Sequence, residues 1–148
     1  MDESAGIIAI GSDHAGYKIK EYIKLTLAAE GYLFKDFGCY SEEKADYPDI
    51  AHPLATAVQQ GLYKSGILIC GSGNGMAMVA NKYPEVRAAL CWNKEVTELA
   101  RKHNDANVLI LPGRFISPDE AIQFIRIFFF AAFEGGRHKT RIEKIKIK

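Results

Sequence analysis

The sequence predicts an α/β fold, a mostly parallel five-stranded sheet held between helices in a three-layer α/β/α sandwich. One observation predicts the fold, and a second predicts a site on it. Short continuous apolar runs alternate with amphipathic stretches along the chain, and such runs mark strands buried on both faces. The chemically suggestive residues also follow strands: Asp13 and His14 the first, Gly71 to Gly75 the third, Arg114 the fifth. Ligands bind beyond the carboxyl ends of strands in open α/β sheets.

Taken in order, Ile7-Ile8-Ala9-Ile10 reads as the first strand, ending at Gly11. From Tyr17 to Glu30, Ile19, Tyr22, Ile23 and Leu27 recur at helical spacing, and Gly31 closes that helix. Tyr32 to Phe37 is the second strand and Asp49 to Gln60 the second helix. Gly66 to Cys70 is the third strand, followed by the tight turn Gly71-Ser72-Gly73-Asn74-Gly75 and a helix from Met76 to Lys82. Arg87 to Cys91 is the fourth strand. Asn93 to His103 puts Val96, Leu99, Ala100 and His103 on one helical face, and Val108 to Leu111 is the fifth strand. Ser117 is a good N-cap, Pro118 suits the first helical position, and Asp119 and Glu120 favour the positive end of the dipole. The body of this helix carries Phe124, Ile125, Ile127, Phe128, Phe129, Phe130 and Phe133 and is apolar nearly all round. That predicts a partner subunit over part of it, against the alternative of a fully buried core helix.

A chain of 148 residues suits one domain, spanning residues 1–148. A net charge of +1 argues against a nucleic-acid or membrane-surface binder, since those carry a strong basic excess. Cys39, Cys70 and Cys91 show no zinc-ligand spacing, and an odd count without a secretory signal fits the cytoplasm. The start, Met1-Asp2-Glu3-Ser4, is acidic and does not read as a signal peptide. The longest apolar stretch, Phe124 to Phe133, contains Arg126 and falls short of the roughly 20 residues a membrane span needs.

Cys70 ends a strand and the next residues open toward a helix start, where free N–H groups cradle negative charge. Glycine lets a ligand approach the backbone closely. Such a field favours the thiolate, lowering a cysteine pKa from about 8.5, and a thiolate can take a proton from carbon. The turn amides and the Ser72 hydroxyl would then hold the enediolate oxygen. The bland alternative is a small core cysteine beside a generic phosphate turn.

Asp13-His14 could orient or protonate sugar oxygens, or form a simple Asx turn. His103 lies on an apolar face, yet Asn104-Asp105-Ala106-Asn107 is too polar for a core. His103 is therefore expected at a helix end near the carboxyl edge of the strands, as an acid or base opening a sugar ring. Tyr47, ahead of a helix with Pro48, could line a pocket or simply pack. In the tail, Arg137 and Arg141 share a face if helical, and converging guanidinium groups suit a phosphate dianion. The alternative there is a solvated basic tail.

Six motifs in order carry a resemblance: G-S-D-H-A-G at Gly11 to Gly16, D-Y-P-D at Asp46 to Asp49, I-C-G-S-G-N-G-M at Ile69 to Met76, A-N-K at Ala80 to Lys82, R-K-H-N-D-A-N at Arg101 to Asn107, and E-G-G-R-H-K-T-R at Glu134 to Arg141. The chain resembles type B ribose-5-phosphate isomerases, in the family that also holds galactose-6-phosphate isomerase, from about Ile7 to Ile142. The resemblance implies a Rossmann-like or flavodoxin-like fold, a homodimer or dimer of dimers, and neither metal nor organic cofactor. It implies Cys70 as the base shuttling a proton between C1 and C2, Ser72 with the turn amides on the cis-enediolate, and His103 opening the furanose ring. Asp13, His14, Tyr47, Gly71, Gly73, Asn74, Gly75 and Asn104 would line the sugar site. Arg114, Arg137, His138 and Arg141 would hold the substrate and its phosphate, some reaching across the dimer, with tail 134–148 on the partner subunit. One branch of the family lacks the cysteine and uses a glutamate after a G-S-G-N-G turn; here Met76 stands at that place and Cys70 is kept. The implied reaction interconverts ribose 5-phosphate and ribulose 5-phosphate. The alternatives are a six-carbon substrate such as allose or galactose 6-phosphate, or a non-catalytic phosphate- or nucleotide-binding module. Against the last, the turn lacks dinucleotide spacing and Glu85 comes at about half the expected distance of roughly 20 residues.

Overall fold

The computed structural model describes residues 6–148. The acidic start, Met1 to Ser4, lies outside the described residues. Strands β1 (Ile7–Ser12), β2 (Leu33–Asp36), β3 (Gly66–Cys70), β4 (Ala88–Leu90) and β5 (Val108–Pro112) form one sheet in the order β2-β1-β3-β5-β4. Every pairing is parallel. The helices are α1 (Tyr17–Ala28), α2 (Tyr47–Gln59), α3 (Asn74–Ala80), α4 (Lys94–Lys102), α5 (Pro118–Phe130) and α6 (Arg137–Glu143).

Side chains alternate between the two faces of a strand, so each strand feeds two cores. Ile8, Ile10, Ile67, Ile69, Leu109 and Leu111 pack against Ile23 and Leu27 of α1 and Phe124, Ile125 and Phe128 of α5. Ala9, Leu68 and Ile110 pack against Ile50, Leu54 and Val58 of α2 and Met76 of α3. Each fully buried side chain of this size contributes about 1.5–3 kcal/mol of transfer free energy.

Two helices, α1 and α4, bury a different set of side chains from the predicted one. In α1 the apolar spacing holds for Ile19, Ile23 and Leu27, but Tyr22 stays exposed and donates its hydroxyl to Asp119 at 2.6 Å. Lys20 goes inside instead, because its ammonium bonds both Asp36 oxygens at 2.7 Å and the Cys39 carbonyl at 2.6 Å. In α4, Ala100 is buried and Val96 packs against the same core as expected, but Thr97 is buried with them and Leu99 faces out. In α5 the capping box forms as expected: Ser117 Oγ accepts from the Glu120 amide and the Glu120 carboxylate from the Ser117 amide. Its aromatic run divides, though. Phe124 and Phe128 enter the core and Phe130 is 91% exposed, so the helix is not buried all round.

Candidate active site

One group of the singled-out residues gathers at the carboxyl edge of the sheet. β3 ends at Cys70, which pairs with Pro112 at the end of β5. Cys70 is buried and belongs to the core under α2 and α3. Gly73 takes φ +81, a left-handed turn that a side chain would strain, and α3 starts at Asn74. Ser72 Oγ accepts from the Asn74 amide at 3.2 Å, which leaves its own proton to donate. The first turn of α3 points N–H groups outward without helical acceptors.

Neighbouring elements close on this turn. Arg114, just past β5, donates its amide to the Gly71 carbonyl at 3.0 Å. A methyl group at Gly71 would meet its guanidinium at 3.1 Å. Tyr47 opens α2, two residues earlier than predicted, and its ring lies on Gly75. Asp13 ends the β1 side: its Oδ1 accepts from the Gly16 amide at 3.1 Å and caps a single 3-10 turn, His14–Gly16. The Nδ1 of His14 lies 3.2 Å from both the amide and the carbonyl of Ala45. Tyr47 and Arg114 thus border the glycine turn after Cys70, and Asp13 leaves the sheet beside it, its amide donating to the Ile69 carbonyl at 3.2 Å.

His103 is not among them, which corrects its expected place. A helix that crosses between parallel strands runs back along them, so its C-terminus returns to the amino edge. His103 caps the C-terminus of α4, and the loop after it leads into β5. In that loop the Asn107 carbonyl accepts from the amide of Gly66, the first residue of β3. The Asn104 carbonyl accepts from Arg87, just ahead of β4. His103 and Asn104 are separated from the Cys70 turn by roughly the 13 Å length of β5.

The basic tail joins His103 at the amino edge. The Glu134 amide donates to the Lys102 carbonyl at 3.0 Å. Residues 137–143 form α6 rather than a loose tail, with Arg137 and Arg141 exposed and four apart. His138 is buried and its ring stacks on His103, centroids 4.1 Å apart and planes at 11°. Burial, with His103 and Arg137 beside it, pushes the pKa of His138 down. Glu134 opens the E-G-G-R-H-K-T-R motif but has no role predicted from the sequence. Its Oε1 lies 3.6 Å from Nε2 of both histidines. The i, i+4 spacing of Glu134 and His138 was the available signal. A separate cavity of about 1070 Å³ opens near Lys64, Arg87, Arg126 and Phe130, and none of the residues singled out for chemistry lines it.

A doubly wound parallel sheet with a thiol, a glycine turn and an arginine at its carboxyl edge defines an α/β protein built for small anionic ligands. The chain belongs to the Ribose/Galactose Isomerase family, whose sequence model matches residues 8–145. It is 40% identical over 138 residues to ribose-5-phosphate isomerase B of Escherichia coli, covering 93% of each chain. Among solved structures, the ribose 5-phosphate isomerase of Thermotoga maritima superposes with TM-score 0.91 at 45% identity, covering 94% of this chain and 96% of the other. Ribose-5-phosphate isomerase B of Mycoplasma genitalium, solved with bound ribulose-5-phosphate, gives TM-score 0.89 at 42% identity over 94% and 93% of the two chains. Among the described residues no helix is long and apolar enough to cross a membrane.

Proposed function

We propose that the chain interconverts D-ribose 5-phosphate and D-ribulose 5-phosphate as a homodimer, in the non-oxidative branch of the pentose phosphate pathway in the cytosol. One observation carries the substrate: the Mycoplasma genitalium relative, alike over nearly its whole length, binds ribulose-5-phosphate.

The split between the two edges supports the dimer. A two-fold axis that sets the amino edge of one copy against the carboxyl edge of the other completes two sites at once. The exposed Phe130 and the segment 134–148 sit with the amino-edge half, which supports their packing on the partner subunit. In this arrangement Cys70, Ser72, Asp13, His14, Tyr47 and Arg114 come from one protomer. The partner contributes its copies of His103, Asn104, Arg137, His138 and Arg141.

The chemistry follows from these positions. The imidazole of the partner's His103 opens the furanose ring by moving a proton between ring oxygen and O1. Cys70, as thiolate, takes the proton from C2, and the electron pair shifts onto the C1 carbonyl oxygen to give the cis-enediolate. The turn amides and the Ser72 hydroxyl meet that oxygen as its charge develops. The Cys70 thiol returns its proton to C1 while a proton passes from O2 to O1, leaving a carbonyl at C2. The guanidinium groups hold the phosphate at the far end and fix the carbon chain over the sulfur.

The test is turnover of a panel of pentose and hexose phosphates in deuterated water. Deuterium entering the product of ribose 5-phosphate is the expected result. Turnover confined to allose or galactose 6-phosphate would move the chain to a six-carbon substrate. Binding of a nucleotide with no exchange in any sugar would make it a module without catalysis.

A further inference from the structure

The amino-edge cluster has a property that ring opening does not require. Glu134 reaches His103 because its amide is tied to the Lys102 carbonyl, and it reaches His138 because α6 places that residue four positions on. Oε1 of Glu134 lies 3.6 Å from Nε2 of each histidine. That is too long for a hydrogen bond. It is close to the edge of a tetrahedron around a zinc-sized ion, about 3.4 Å when metal–ligand bonds are about 2.1 Å. One ligand atom from each of the three residues lies within 4.8 Å of the others.

A second observation points the same way. Nε2 of His138 is buried and has no hydrogen-bond partner among the described residues, although it faces the carboxylate. Buried polar atoms without partners are uncommon in folded proteins. Glu134 is half exposed, which leaves an entry path. Two imidazoles and one carboxylate are donors for a borderline transition metal rather than for calcium or magnesium. The same set, with one position open, forms an established type of zinc site.

We propose that His103, Glu134 and His138 form a transition-metal site within one chain, taking zinc or a similar divalent ion, and that its occupation switches the isomerase off. The ion is an inhibitor, not a cofactor: it occupies the Nε2 lone pair that His103 needs in order to move a proton. The inhibitory half rests on the role given to His103 under Proposed function; the binding half does not.

The experiment titrates the metal-free full-length protein with zinc chloride by calorimetry and with cobalt chloride by visible absorption, both without sugar. The expected result is one ion per chain, tetrahedral cobalt bands, and loss of binding in His138→Asn. Glu134→Ala, at an exposed position that spares the fold, should weaken binding at least tenfold, about the scale on which even outer partners of metal ligands act. Cys70→Ser should bind as the parent does. Zinc should then inhibit turnover at the same concentrations, reversed by a chelator, and Glu134→Ala should be inhibited only at correspondingly higher zinc. No binding at micromolar zinc, or binding lost in Cys70→Ser but kept in Glu134→Ala, would overturn the site. Binding without inhibition in an active isomerase would overturn the switch. If the protein turns over no sugar phosphate, the calorimetric and cobalt results still decide the site.

Discussion

Tyr47 covers Gly75 so closely that a methyl group there would fall 2.6 Å from two carbons of the ring. The first residue of α2 and the glycine turn of α3 are therefore matched surfaces. Gly75→Ala should push the ring aside rather than unfold the protein, because Tyr47 is 39% exposed and has room to swing. The expected outcome is an unchanged melting temperature and a KM for ribose 5-phosphate raised by up to about tenfold, the equivalent of ~1.4 kcal/mol of binding. An unchanged KM would remove Tyr47 from the sugar site.

The three cysteines should separate by reactivity. Burial pushes the Cys91 thiol up to about 11, against a hydrogen bond with Thr97 that favours the thiolate. At pH 8 it is then ionised to about one part in a thousand, and the thiolate is the nucleophile. Iodoacetamide should inactivate the enzyme in step with labelling of Cys70, with the sugar phosphate protecting. Peptide mass spectrometry should find Cys91 unlabelled, and Cys39 labelled without consequence for turnover. Loss of activity while Cys70 stays unlabelled would contradict its role.

Lys20 and Asp36 make acid stability a readout of the β2 edge. Burial raises the Asp36 pKa, but hydrogen bonds from Lys20, Lys24 and the Gly38 amide outweigh it, and the net shift is downward. A lowered carboxylate pKa stabilises the fold fully above the unfolded value of about 3.9 and loses that contribution as pH falls through the lower folded value. Lys20→Met leaves a carboxylate without its buried partner, a loss on the order of 3 kcal/mol at neutral pH with Lys24 still in place. The gap between parent and variant should narrow as pH drops below about 4. Melting curves that stay parallel across the whole pH range would contradict this account.

Much of the fold was legible because local signals agreed with one another. β3 runs from Gly66 to Cys70 as read, since a short apolar run between glycines has little freedom. The start of α5 at Ser117 follows from side-chain chemistry within three residues. The burial of Lys20 was not legible, because its partner Asp36 arrives from another strand sixteen residues later. On α1 alone it looks like a solvated charge, and Tyr22 looks like the better core residue. The place of His103 could have been derived: a crossover helix must return to the edge from which its strand began. The polarity of Asn104 to Asn107 signals a site but carries no information about which edge of the sheet holds it. The stack of His103 on His138 had no local signal, since α6 folds back across more than thirty residues of chain.

The division of the site between edges predicts complementation. Cys70→Ala and His103→Ala homodimers should each be nearly inactive. In the proposed two-fold dimer, a mixed pair contains one site with both lesions and one with neither. Unfolding the two variants together and refolding them should restore about a quarter of the parent activity per chain at random assortment. Activity that stays at the level of the separate variants would place Cys70 and His103 in the same protomer's site.

The most direct test of the central claim is the rate at which Cys70→Ala exchanges the C2 proton of ribose 5-phosphate with deuterated water, followed by proton NMR beside the parent protein. Loss of the general base should slow exchange by about 10²–10⁴-fold, with the dimer and the fold unchanged by sedimentation and circular dichroism. Exchange near the parent rate in that variant would show that another group takes the proton.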